Sequence, residues 1–300
     1  MKKTIVVLLI VVLFSWILVA CGADKDKIQS DFSNMIENAA TPEDIQSTAE
    51  FLDENIPLVG EEKASDMLAA YEHHLLNYIS ENTDKTSIEA LRTYFDFDKG
   101  VIDEQKIEGS EMKAFYDKIK AGSLMVVCYE NAMILKVDYA KLLEKYGDYI
   151  SESIQSLYGL VAETTAKPTT ENATLMIHWE DLLDRTFAAE TLLKNYPEDD
   201  LVKDDAMWLY TTHLNTLLMG TTNTPIFDYS SKEFSSEARD AYEAFVIANP
   251  DTTLTWVLKE YFTYLNGIDF SLDFKDSTMS KVFFDTCDWL VSEAEKRVMQ

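Results

Sequence analysis

The chain has 300 residues, with 53 Asp and Glu against 26 Lys and Arg, a net charge of −27 and 47% hydrophobic residues. That apolar share can fill a core, which excludes global disorder, and the charge excludes wrapping of nucleic acid, whose phosphates require Lys and Arg. Only 9 Gly and 6 Pro speak against a many-turned β-sandwich.

The first element is an address. Lys2 and Lys3 form a positive start, and residues 5–18 are apolar apart from Ser15. The run ends at Leu18, Val19, Ala20 and Cys21. It is short for a bilayer span, which takes about 20 apolar residues. The order of charge, apolar run and cysteine resembles a bacterial lipoprotein signal with its lipobox. The resemblance implies removal of residues 1–20 and diacylglyceryl transfer to the Cys21 thiol. The protein would then be lipid-anchored on the outer face of the bacterial cell membrane. Loss of Lys2 and Lys3 leaves 24 basic residues against 53 acidic ones, a net charge of −29. Residues 21–27 would be a tether reaching on the order of 20 Å when extended.

From residue 28 onward nearly every stretch repeats at helical spacing. Ile28, Phe32, Met35 and Ile36 mark a first helix. Thr41 and Pro42 start a second, which carries Ile45, Ala49, Leu52 and Ile56, with Pro57 as its expected stop. A longer helix begins at Glu61, and shorter ones cover 87–95 and 110–120. Leu124, Val127, Ala132, Leu135, Tyr139, Leu142 and Tyr146 predict a central helix, broken by Gly147 before another that holds Ile154 and Leu157. Residues 164–174 look most like a linker, because Pro168 blocks a helix through them. This predicts an N-terminal helical half, 28–166, and a C-terminal half, 167–300. Further helices follow over 175–195, 201–219, 235–248, 252–265 and 277–298. Residues 268–274 alternate as either a short strand or an ordered loop. The fold expected is all-α, about eleven or twelve helices in antiparallel hairpins forming an array or superhelix, with no doubly wound sheet.

A shift of 140 residues aligns 49–73 with 189–213, pairing Ala49 with Ala189, Pro57 with Pro197, Met67 with Met207 and His73 with His213. Tyr242, Phe245 and Pro250 resemble the end of a tetratricopeptide-type hairpin, although Phe245 stands where that family prefers alanine. The resemblance implies a helical array of that general kind.

The residues supply little recognisable chemistry. His73 and His74 are adjacent, so on a helix they diverge by about 100° and cannot share a metal. The segment from Asp96 through Gly100 to Glu104 misses the glycine and glutamate spacing of a calcium loop. No cofactor is implied. Cys128 and Cys287 read as free buried thiols in apolar helical stretches, with a bridge as the alternative. Trp179, Glu180 and Trp208 combine aromatics with a carboxylate and are the candidate ligand-groove residues. The expected function is that of an extracytoplasmic, lipid-anchored interaction or binding protein without catalysis, holding a protein or peptide partner. The acidic balance favours a basic partner and excludes nucleic acid. The alternatives are an enzyme acting on a cell-envelope glycan or peptide, and a small-ligand binder with a pocket between the halves.

Overall fold

The computed structural model describes residues 24–38, 41–81 and 85–300, and the chain divides into two units after Ser151. The signal segment and Cys21 lie outside the described residues. Among the described residues there are twelve α-helices and six short strands, all in two-stranded antiparallel pairs, so the fold is predominantly α-helical. No helix among the described residues is long and apolar enough to cross a membrane.

The first unit begins with α1, Lys25–Asn38, and α2, Pro42–Val59. Thr41 caps α2 in a reciprocal box. Its hydroxyl accepts from the Asp44 N–H, and the Asp44 carboxylate accepts from the Thr41 N–H, satisfying two otherwise orphaned donors. The expected stop at Pro57 is corrected: α2 runs through it to Val59, and Gly60 at φ 90° ends the helix. Pro57 removes one hydrogen bond near the end, while burial of Ile56 and Val59 holds the last turn in place. Helix α3, Glu61–Glu81, and α4, Lys85–Ala90, follow, then a 3-10 turn, Leu91–Tyr94. Strands β1, Phe95–Asp96, and β2, Val101–Ile102, form a small hairpin. The Asp96 carboxylate closes its turn by accepting from the Asp98 and Lys99 N–H groups and pairing with Lys99.

After α5, Ser110–Ala121, the central helix expected from residue 124 is corrected. Its first half is a β-hairpin, β3, Leu124–Tyr129, and β4, Ala132–Val137. Glu130 and Asn131 both take positive φ, 48° and 60°, the two-residue turn whose twist suits a hairpin. Gly122 precedes the hairpin where a Cβ would sit 2.2 Å from the Ile45 side chain, so α2 can pack this closely only on a bare backbone. Only the second half of the expected helix forms, as α6, Tyr139–Tyr146.

The second unit opens with α7, Glu152–Ala166. The linker-like stretch lies inside this unit, downstream of the division at Ser151. It forms a hairpin, β5, Thr170–Glu171, and β6, Thr174–Leu175. Asn223 fastens the hairpin tip by donating to the carbonyls of Ala173 and Asn172 at 2.8 and 2.7 Å. The next helix begins at Trp179, because Thr174 and Leu175 are committed to that hairpin. It is α8, Trp179–Asn195, followed by α9, Lys203–Met219, α10, Ser236–Ala248, α11, Thr253–Gly267, and α12, Ser277–Val298. Residues 268–274 are an ordered loop, in which Ser271 forms a single bridge with Glu233.

The end of α9 shows how this interior is satisfied. The last carbonyls of a helix lack intrahelical donors. Here the buried hydroxyls of Tyr242 on α10 and Tyr261 on α11 donate to the Leu217 and Leu218 carbonyls at 2.5 and 2.6 Å. Gly220 then turns the chain at φ 70°, where a Cβ would meet the Thr224 carbonyl at 2.4 Å. The two copies of the internal echo share a helix–break–helix order and differ at the break. Only Gly60 separates α2 from α3, with Pro57 inside the helix, whereas seven residues separate α8 from α9, with Pro197 among them.

Candidate functional site

Each unit contains a lined recess. That of the first unit, about 780 Å³, lies between α3, α4 and β4. Ile79, Ile88, Met133, Ile134 and Leu135 supply its apolar wall, with Ala90 and Ala132 at positions without bulk. Four consecutive residues of β4, 132–135, line it. A strand shows alternate residues from a face and consecutive ones from an edge, so the recess opens on the edge of β4.

The register fixes what that edge offers. Tyr129 and Ala132 flank the two-residue turn and face each other. They therefore exchange hydrogen bonds, as do Val127 with Ile134 and Met125 with Lys136. Met133, Leu135 and Val137 alternate with these and point their backbone groups away from β3. The Met133 N–H is taken by the Glu89 carboxylate at 3.1 Å. Among the described residues, the Leu135 N–H and C=O have no partner, although Leu135 is buried. Buried backbone groups are nearly always paired, so among the described residues this donor and acceptor are open positions inside an apolar recess.

Glu89 and Arg92 brace the same edge. The Glu89 carboxylate pairs with the Arg92 guanidinium, which also donates to the Asn131 carbonyl in the hairpin turn. The Arg92 hydrogen bond, then the Met133 N–H, holds Glu89 below its ordinary value. Among the described lining residues Glu89 is the one acid, and it is compensated within the protein.

The smaller recess, about 420 Å³, is a groove between α7 and α8 of the second unit. Its walls are Leu160, Phe187, Leu192 and Tyr196, with Asp184 at one end and Asn195 at the other. Phe187 is held by an edge contact with Phe245, with ring centroids 5.8 Å apart.

The residues singled out from the sequence fall elsewhere. Trp179 is buried against Tyr242 in the core of the second unit, whereas Trp208 is 64% exposed and Glu180 lies on the surface. They do not share one recess. Cys128 and Cys287 are both free. Cys128 is half-buried on strand β3, which corrects the helical placement. Cys287 is buried on α12, and burial pushes its thiol up to about 12. His74 and His213 are buried, His73 and His178 exposed. Among the described residues, no three His, Cys, Asp or Glu side chains are grouped to hold a metal ion.

The helical spacing of apolar residues over 124–137 conceals the open edge of β4. Its signal was the β-branched and aromatic run from Val126 to Tyr129, followed by a two-residue gap containing Asn131. The α7–α8 groove had a fainter signal: Asp184, Phe187, Ala188, Thr191 and Asn195 form a second stripe on α8 beside the buried one. No protein-family model, no curated protein and no solved structure matches this chain.

Proposed function

We propose that the protein is a lipid-anchored, extracytoplasmic binding protein of the bacterial cell envelope, and that it holds an extended, apolar segment of a partner protein in the recess at the edge of β4. One observation carries the binding half of this reading: among the described residues, the Leu135 N–H and C=O within an apolar recess are without a partner. An added strand supplies main-chain partners to both groups and places alternate side chains on the apolar wall. A small apolar molecule of matching size fills the volume and leaves both groups unpaired, at a cost of about 1–3 kcal/mol for each. The lipid anchor rests on the lipobox ending at Cys21.

Two variants test the two halves. Cys21→Ala is expected to move the protein out of the membrane fraction and to abolish metabolic labelling with a radioactive fatty acid; unchanged labelling refutes lipidation. For the recess, a photo-crosslinking amino acid at Ala90 is expected to capture an apolar stretch of a partner in intact cells. Ala132→Trp, which fills the recess from an exposed position, should reduce that product at least about tenfold while the melting temperature holds. A product unaffected by Ala132→Trp excludes the recess as the binding site.

A further inference from the structure

The groove between α7 and α8 rests on different observations from the recess at β4. Its lining on α8 runs from Asp184 through Phe187, Ala188, Thr191 and Leu192 to Asn195, one face of the helix over roughly 16 Å. Apolar and aromatic side chains form the middle. The groove is therefore long, open and amphipathic, a shape suited to a segment of chain.

Its charge is unbalanced at one end. Asp181 pairs with Lys167 at 2.7 Å, and Glu163 pairs with Arg185 at 3.3 Å. Asp184 and Glu180 have no cation within ion-pair distance among the described residues. Asp184 is exposed at the groove mouth, and desolvation by the groove wall, then the neighbouring charges of Asp181, Glu163 and Glu180, raises its carboxyl above its ordinary value. The protein thus places an uncompensated acid at the mouth of an apolar groove, where a bound cation would relieve it. A lysine or arginine side chain suits this arrangement, because its aliphatic stem packs on an apolar wall while its head reaches a carboxylate. A small polyamine carries the charge without side chains to occupy the apolar middle.

We propose that the groove between α7 and α8 binds a basic segment of a partner protein, with a lysine or arginine head seated on Asp184 and the flanking apolar side chains laid along Leu160, Phe187 and Leu192. This second contact is separate from the strand-binding recess of the first unit, and its failure would leave that reading standing.

The test uses the mature chain without its lipid and a fluorescent 12-residue peptide of alternating lysine and leucine, followed by anisotropy. The expected result is saturable binding that weakens with salt and falls about tenfold in Asp184→Asn. Ala188→Trp, which fills the groove, should abolish it. A benzophenone side chain at Thr191 should crosslink the peptide, and Ala132→Trp in the first unit should leave its affinity unchanged. The proposal is overturned by an Asp184→Asn variant that binds equally well, by a glutamate–leucine peptide that binds as tightly, by spermine that displaces the peptide with equal affinity, by loss of binding in Ala132→Trp, or by no binding at low salt.

Discussion

Replacing Glu190 with alanine should destabilise the second unit by about 3–5 kcal/mol, the usual cost of truncating one member of a buried charged network. Glu190 is on α8 with its carboxylate fully buried. It accepts from the Thr253 and Leu254 N–H groups, each at 2.7 Å, and from the Lys194 ammonium at 2.6 Å. The two amides open α11, and the third, from Thr255, is taken by the Thr252 hydroxyl at 3.0 Å. The positive end of this helix is therefore neutralised by a residue more than sixty positions earlier in the chain. Alanine would orphan both amides and leave a cavity in the same place. In a unit of this size that loss is a fall of roughly 6–20 °C in melting temperature. Glu190→Gln retains an acceptor without the charge and is expected to fall between alanine and the native residue. A calorimetric scan of the three proteins decides it, and a drop below 2 °C in the alanine variant excludes this role.

What the sequence made legible was mostly local. The start at Thr41 is read from a single residue and caps its helix, and the helices expected over 235–248 and 252–265 form within two residues of those bounds. The β3–β4 hairpin was not legible as such. Leu124, Val127, Leu135 and Tyr139 satisfy a helical period, and Leu124, Val126, Met133, Leu135 and Val137 satisfy a strand period. Apolar residues at both parities leave the choice to pairing, which here is set by the Glu130–Asn131 turn. The same limit hid both recesses. An open strand edge exists only once the register is known, and an uncompensated Asp184 exists only once Lys167 and Arg185 are seen to be used elsewhere. Glu190 illustrates it in reverse: an acid within an amphipathic helix reads as solvated surface, and its burial follows from where α11 begins.

Acid should destabilise the second unit through His213, and burial beside Arg185 gives the sign. Arg185 is buried and can only donate; its guanidinium donates to the Thr169 hydroxyl oxygen at 2.9 Å. The same hydroxyl faces His213 Nε2 at 3.5 Å, and the ring lies buried close enough to feel the Arg185 charge. A second ring proton would bury a cation beside Arg185. Burial, and then the Arg185 charge, accordingly hold His213 at about 4, against 6.5 for a free imidazole. Between those values the unfolded chain binds a proton that the folded one does not, so stability falls as pH drops from about 6.5 to 4 and changes no further below that range through this group. The full difference is on the order of 3 kcal/mol. Burial lowers His74 in the first unit as well, with the same sign, so the two units should both weaken over mild acid. His213→Leu separates them: it removes the ionisation, at a fixed cost from the lost Thr169 contact, while the Thr169 oxygen still accepts from Arg185. Urea unfolding of native and variant proteins at pH 7, 6, 5 and 4.5, followed by hydrogen exchange in α9, should show the native second unit losing stability steadily and the variant changing much less. Parallel pH profiles for the two proteins would mean that His213 is not the group being titrated.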